Sequence, residues 1–114
     1  MGLMYMSNPV IDTFGNKEWR NVDGVLHRED GPAIILSSGS TLYYRDGKLH
    51  REDGPACEWG SGSKSWWLND KLHREDGPAI EDANGTNEWW LNGKEYTEEE
   101  FALIQFMNGV NVNV

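Results

Sequence analysis

Every histidine of this chain lies in three copies of one octapeptide, each with an arginine and two acids beside it. Leu26-His27-Arg28-Glu29-Asp30-Gly31-Pro32-Ala33 recurs letter for letter at 49–56 and at 72–79, an interval of 23 residues both times. Imidazole can ligate a metal or move a proton, and guanidinium can grip a phosphate through paired donors. If the copies belong to stacked two-stranded units, however, equivalent residues stand roughly 10 Å apart. His27, His50 and His73 then cannot share one metal. Each is expected to bond a turn carbonyl or the acid of its own unit. No serine or cysteine nucleophile recurs with them, so no catalytic residue, metal or cofactor is assigned.

The arginines admit two readings. Arg28, Arg51 and Arg74 lie beside Glu29-Asp30, Glu52-Asp53 and Glu75-Asp76, which makes a surface laced with alternating charge. Alternatively, the Arg column with His27, His50, His73 and Lys48 or Lys71 forms phosphate cradles between units that could hold a nucleotide. No glycine-rich phosphate loop or zinc spacing occurs, and Gly60-Ser61-Gly62-Ser63 reads as a hairpin tip. In a chain with 19 acids two carboxylates can always be paired, so a glycosidase gains no support. Cys57 is the single cysteine, which excludes an intrachain disulfide and suits a reducing compartment. It is expected as a small packed residue behind Ala56.

The elements that must position these residues follow from the period. Self-similarity at 23 residues signals an array of supersecondary units, each stacked on its neighbours. Within 114 residues this is one domain: an N-terminal cap over 1–14, hairpin repeats over 15–96, a capping helix over 97–108 and a tail over 109–114. The fold class expected is mainly β, stacked β-hairpin repeats closed by a C-terminal α-helix. Units two to four read Gly39 to Lys48, Gly62 to Lys71 and Gly85 to Lys94. In each, an early Gly and an Asn/Asp-Gly pair supply the positive φ of two-residue turns, and aromatics between them favour strand. Asp70 replaces that Gly in unit three, where the turn remains possible at some cost. Unit one has an extra residue between Trp19 and Gly24, for which a bulge near Asn21 is expected. A second short strand follows each Gly-Pro, starting at Ala33, Ala56 or Ala79. Thr97 with Glu100 forms a capping box, and the helix it opens is expected to stop at Asn108-Gly109. Its apolar residues wrap more than one face, so it is buried on the last hairpin or shared with a second subunit. The tail Val110 to Val114 alternates like an edge strand.

Neighbouring strand residues point to opposite faces. Trp19, Tyr43, Trp66 and Trp89 therefore form one column, expected as the core. Tyr44, Trp67 and Trp90 form another, beside Leu42, Ser65 and Glu88. Left uncovered, this second column is an aromatic stripe with polar flanks, the composition of an interface centre.

A formal charge of -9 argues against a nucleic-acid backbone or an anionic membrane as partner. It suits a basic partner or imitation of a polyanion. The N-terminal stretch has neither a basic start nor a long apolar core, and no run nears the roughly 20 apolar residues of a spanning helix. The chain reads as cytoplasmic.

The 23-residue period and the pattern Gly-x-x-x-aromatic to Asn/Asp-Gly-Lys-Leu-His resemble MORN repeats, in the divergent form seen in small bacteriophage proteins. The resemblance covers about Gly15 to Phe101, with Gly39 to Pro55 matching most closely. It departs where a Gly usually follows the His, since Arg28, Arg51 and Arg74 occupy that place. Ordinary MORN arrays are associated with scaffolding and acidic lipid, which this departure and the charge disfavour. What the phage-type resemblance implies is a noncatalytic protein in the host cytoplasm that binds a host protein, including defence machinery. A sponge for a nucleotide signal and a structural oligomer, joined through the helix or tail, are the alternatives.

Overall fold

Gly, Asn and Asp at fixed offsets cut each 23-residue unit into short extended pieces. In the computed structural model, which describes residues 8–111, these pieces assemble into two rows of antiparallel pairs. In chain order the strands are β1 (Val10–Ile11), β2 (Lys17–Glu18), β3 (Ile34–Ile35), β4 (Thr41–Leu42), β5 (Tyr44–Arg45), β6 (Lys48–Leu49), β7 (Cys57–Glu58), β8 (Lys64–Ser65), β9 (Trp67–Leu68), β10 (Lys71–Leu72), β11 (Ile80–Glu81), β12 (Asn87–Leu91) and β13 (Lys94–Tyr96). The helix α1 (Glu98–Asn111) follows. One row runs β1-β2-β3-β4-β7-β8-β11-β12, with β13 on the far half of β12. The other row comprises the hairpins β5–β6, β9–β10 and β12–β13, begun by a bridge between Arg20 and Leu26. The fold is mainly β, an open stack of hairpin repeats ended by one helix.

Each unit thus holds a hairpin in both rows rather than in one. The chain crosses between rows at Trp19, Tyr43 and Trp66, whose amides donate to the carbonyls of Ala33, Ala56 and Ala79. Those three alanines are completely buried, at 0% exposure. The expected core column surrounds them: Trp19 is buried, while Tyr43, Trp66 and Trp89 are only half-buried. A slab 18 Å thick in its Cα trace cannot enclose large rings on both sides.

The turns are of two kinds. Asp46-Gly47, Asn69-Asp70 and Asn92-Gly93 have positive φ at both positions, the two-residue turn whose twist matches paired strands. Gly39, Gly62 and Gly85, also at positive φ, end three-residue loops instead, closed by the amides of Leu36, Trp59 and Asp82 donating to Ser40, Ser63 and Thr86. Asp70 keeps φ at +67°, and its carboxylate accepts from the Leu49 amide at 2.8 Å in the preceding unit. Unit one takes up its extra residue in a five-residue loop, not a bulge. The Asn21 carboxamide oxygen holds that loop by accepting from the amides of Asp23 and Val25.

At the C-terminus the capping box forms: the Glu100 amide donates to Thr97 Oγ1 at 3.1 Å and the Thr97 amide to Glu100 Oε1 at 2.9 Å. The helix passes the expected stop, because Gly109 is not at positive φ and makes no left-handed cap. Residues 109–111, expected as tail, are helical, and 112–114 lie outside the described residues. Phe101 is buried against the last hairpin. Of the expected N-terminal cap, residues 1–7 also lie outside the described residues. Val10 and Ile11 do cover the first edge by pairing with β2, though their side chains are exposed.

Candidate binding surface

The register places the two classes of chemistry-bearing residue on opposite faces. Ile34, Leu42, Cys57, Ser65, Ile80 and Glu88 pair across the sheet as one lateral row. Two residues farther along their strands stand Tyr44, Trp67 and Trp90, paired with Leu49, Leu72 and Glu95. The alternate residues, on the other face, are Trp19, Tyr43 and Trp66, and there the arginines lie.

On the arginine face each guanidinium is held on several sides. Arg51 sits 4.0 Å above the Tyr43 ring, donates to Asp53 at 3.1 Å and to the Pro55 carbonyl at 3.1 Å, and reaches Glu58 at 3.1 Å. Arg74 repeats this over Trp66 with Asp76, Pro78 and Glu81, and Arg28 over Trp19 with Asp30 and Pro32. The glycine of each Asp-Gly-Pro presses on its arginine from below, since a Cβ at Gly31, Gly54 or Gly77 would lie 3.0 Å from Cζ. Stacking and charged hydrogen bonds strengthen one another here. Two grooves, of about 480 and 680 Å³, lie between successive arginine loops and are walled by acids on both sides.

Each histidine spans two units. His27, His50 and His73 each pair Nε2 with the glutamate two residues on, at 2.7, 3.2 and 3.0 Å. Their Nδ1 atoms accept the backbone N–H of Asp46, Asn69 and Asn92 in the next unit, at 2.9, 3.1 and 2.9 Å. Only an unprotonated nitrogen can receive an N–H, so Nε2 bears the ring proton and donates it to the carboxylate. The own-unit acid was expected. The second partner is a turn amide, not a turn carbonyl, and it belongs to the following unit.

On the aromatic face Tyr44, Trp67 and Trp90 are half-buried. The Trp67 indole donates to Ser65 Oγ at 2.8 Å and that of Trp90 to Glu88 Oε1 at 2.9 Å, which lays both rings along their own strands. Cys57 and Ser65 are small and buried, so a groove of about 610 Å³ opens above them between Leu42, Leu49, Trp59, Trp67 and Ile80. Trp59 belongs to this surface, 42% exposed, and is not in the expected set. Its position two residues after Cys57 on one strand is the signal that would have found it. Burial pushes the Cys57 thiol up, against a hydrogen bond from Ser65 that lowers it. Burial also raises the Tyr44 phenol, helped by negative charge at Cys57 and Asp70.

The arrangement brings together Tyr44, Trp67 and Trp90, as expected, on a surface with a dented apolar centre and polar margins. It holds His27, Arg28, His50, Arg51, His73 and Arg74 on the opposite face, engaged with their own acids and neighbours. No family model, curated protein or solved structure matches this chain.

Proposed function

We propose that the chain is a noncatalytic binding protein whose target is a bacterial host protein, as an inhibitor encoded by a phage would be, and that the target seats on the aromatic face. The observation that carries this reading is the groove over Cys57 and Ser65, flanked by Trp59 and Trp67 and continued by Tyr44 and Trp90. A shallow apolar groove with large rings at its sides receives an anchoring side chain and excludes water around it. The margin bears acids, Asp82 at the groove and Asp70 near Trp90, which suits a target with basic residues around its anchor.

The test is native mass spectrometry of the tagged chain drawn gently from a bacterial lysate. A stoichiometric protein retained by the wild type and lost from the Trp67→Ala, Trp90→Ala double variant, with the fold intact by circular dichroism, supports the reading. Loss of the same protein from Arg51→Glu alone moves the site to the other face.

The second reading, a sponge for a nucleotide signal, draws on the two grooves between arginine loops. A phosphate there must displace Asp53 or Glu58 from Arg51, and acids on both walls oppose it. A nucleotide that raises the melting temperature of the wild type but not of Arg51→Glu would favour this reading over the first.

A further inference from the structure

The helix α1 carries two apolar stripes, and the array uses one. Phe101 and Ile104 face the last hairpin, with Phe101 only 7% exposed, and the Gln105 side chain donates to the Glu75 carbonyl. Positions three and four apart share a helix face, so 101, 104 and 105 mark the inward side. Leu103, Phe106 and Met107 have the same spacing and point the opposite way, roughly 190° around the axis at 3.6 residues per turn. They are 60%, 65% and 52% exposed.

We propose that this outward stripe joins two copies of the chain, with their α1 helices antiparallel about a two-fold axis near Phe106. Leu103 of one copy then lies beside Met107 of the other, as a self-complementary interface requires. The helix's own charge selects a second copy and this direction. Glu98, Glu99 and Glu100 fill the first turn, and the last turn holds no basic residue. Parallel copies would set three carboxylates against three. Antiparallel copies place each acidic turn beside the partner's uncharged final turn and oppose the helix dipoles. The stripe is small beside the roughly 800 Å² per partner of a standard interface, so the dimer is weak, with a dissociation constant on the order of 100 μM. Two bodies of charge -9 also repel, and salt screens that repulsion. Association must therefore tighten as salt rises, the reverse of what a basic partner would show.

Sedimentation of the full chain between about 5 and 500 μM, at low and moderate NaCl, tests this. The expected mass rises with concentration from 13.0 kDa toward twice that value, and further at the higher salt. Phe106→Glu, or Met107→Ser if the first variant misfolds, should restore the monomer without changing the β signal. In a Cys57→Ala background, Phe106→Cys should form an intermolecular disulfide under mild oxidation, and Glu99→Cys should not. A monomer throughout, a dimer untouched by both stripe variants, association that weakens with salt, or faster cross-linking at position 99 would each overturn the proposal.

Discussion

Gly54→Ala adds one methyl group to the second octapeptide, and the structure dictates where its cost arises. Gly54 is not at positive φ, so an alanine there suffers no left-handed strain. Its Cβ would nevertheless lie 3.0 Å from Arg51 Cζ and 3.2 Å from Nε and Nη1. A free arginine would swing aside at little cost. This one is fixed by the Tyr43 ring, Asp53, the Pro55 carbonyl and Glu58, so moving it weakens a cation–π contact and three hydrogen bonds together. Overpacking of about 1–3 kcal/mol is expected. The guanidinium is about one-fifth exposed, and solvent screening holds the loss toward the lower half of that range. Urea denaturation of four proteins decides the matter: wild type, Gly54→Ala, Arg51→Ala and the double variant. With the arginine gone, the methyl group should cost nothing and can stabilise by about 0.4–1 kcal/mol through the unfolded chain. A coupling of at least about 1 kcal/mol is therefore expected. If Gly54→Ala costs the same with and without Arg51, the glycine serves backbone geometry alone and the reasoning fails.

Two further perturbations have definite signs. Asp70→Ala keeps the φ of +67° strained and loses the bond from the Leu49 amide, whereas Asp70→Gly loses only the bond. Thermal melts should place Ala below Gly, with Ala about 2 kcal/mol less stable than the wild type. The thiol of Cys57 and the phenol of Tyr44 are both raised above their ordinary values of 9.0 and 10.0, so both favour the fold while neutral. That contribution is complete below pH 9 and is lost as the pH climbs through the raised values. Stability measured against pH should hold level to about pH 9 and then fall, and Cys57→Ala should delay the fall.

Much of the architecture was legible in the residues. The 23-residue interval, the Asn/Asp-Gly pairs and the Thr97-Glu100 box each rest on local chemistry that little else satisfies, and each forms. The division into two faces was legible too, because strand alternation is a geometric necessity and the doubled aromatics of each unit straddle it. What escaped depends on contacts between units. Nothing local says that Gly54 makes room for a guanidinium, or that His50 accepts from the amide of Asn69, nineteen residues away. Gly109 shows the opposite limit: a residue permitted to end a helix is not compelled to. Trp59 was missed because its unit lacks a doubled aromatic on that strand, although plain alternation from Cys57 reaches it.

The histidine bridge gives the array a direction. Each unit offers, through an imidazole nitrogen and the Leu26, Leu49 or Leu72 carbonyl, a socket for the turn that comes after it. In the fourth unit Tyr96 stands where the histidine would be, and the socket is absent. A duplicated 23-residue segment would bring both plug and socket with it and fit in register at any internal junction. Gene slippage across the identical octapeptides can therefore lengthen or shorten the molecule in steps of roughly 10 Å, two strand spacings, without redesigning a single contact. Copy number is the variable by which a lineage could match this rod to targets of different span.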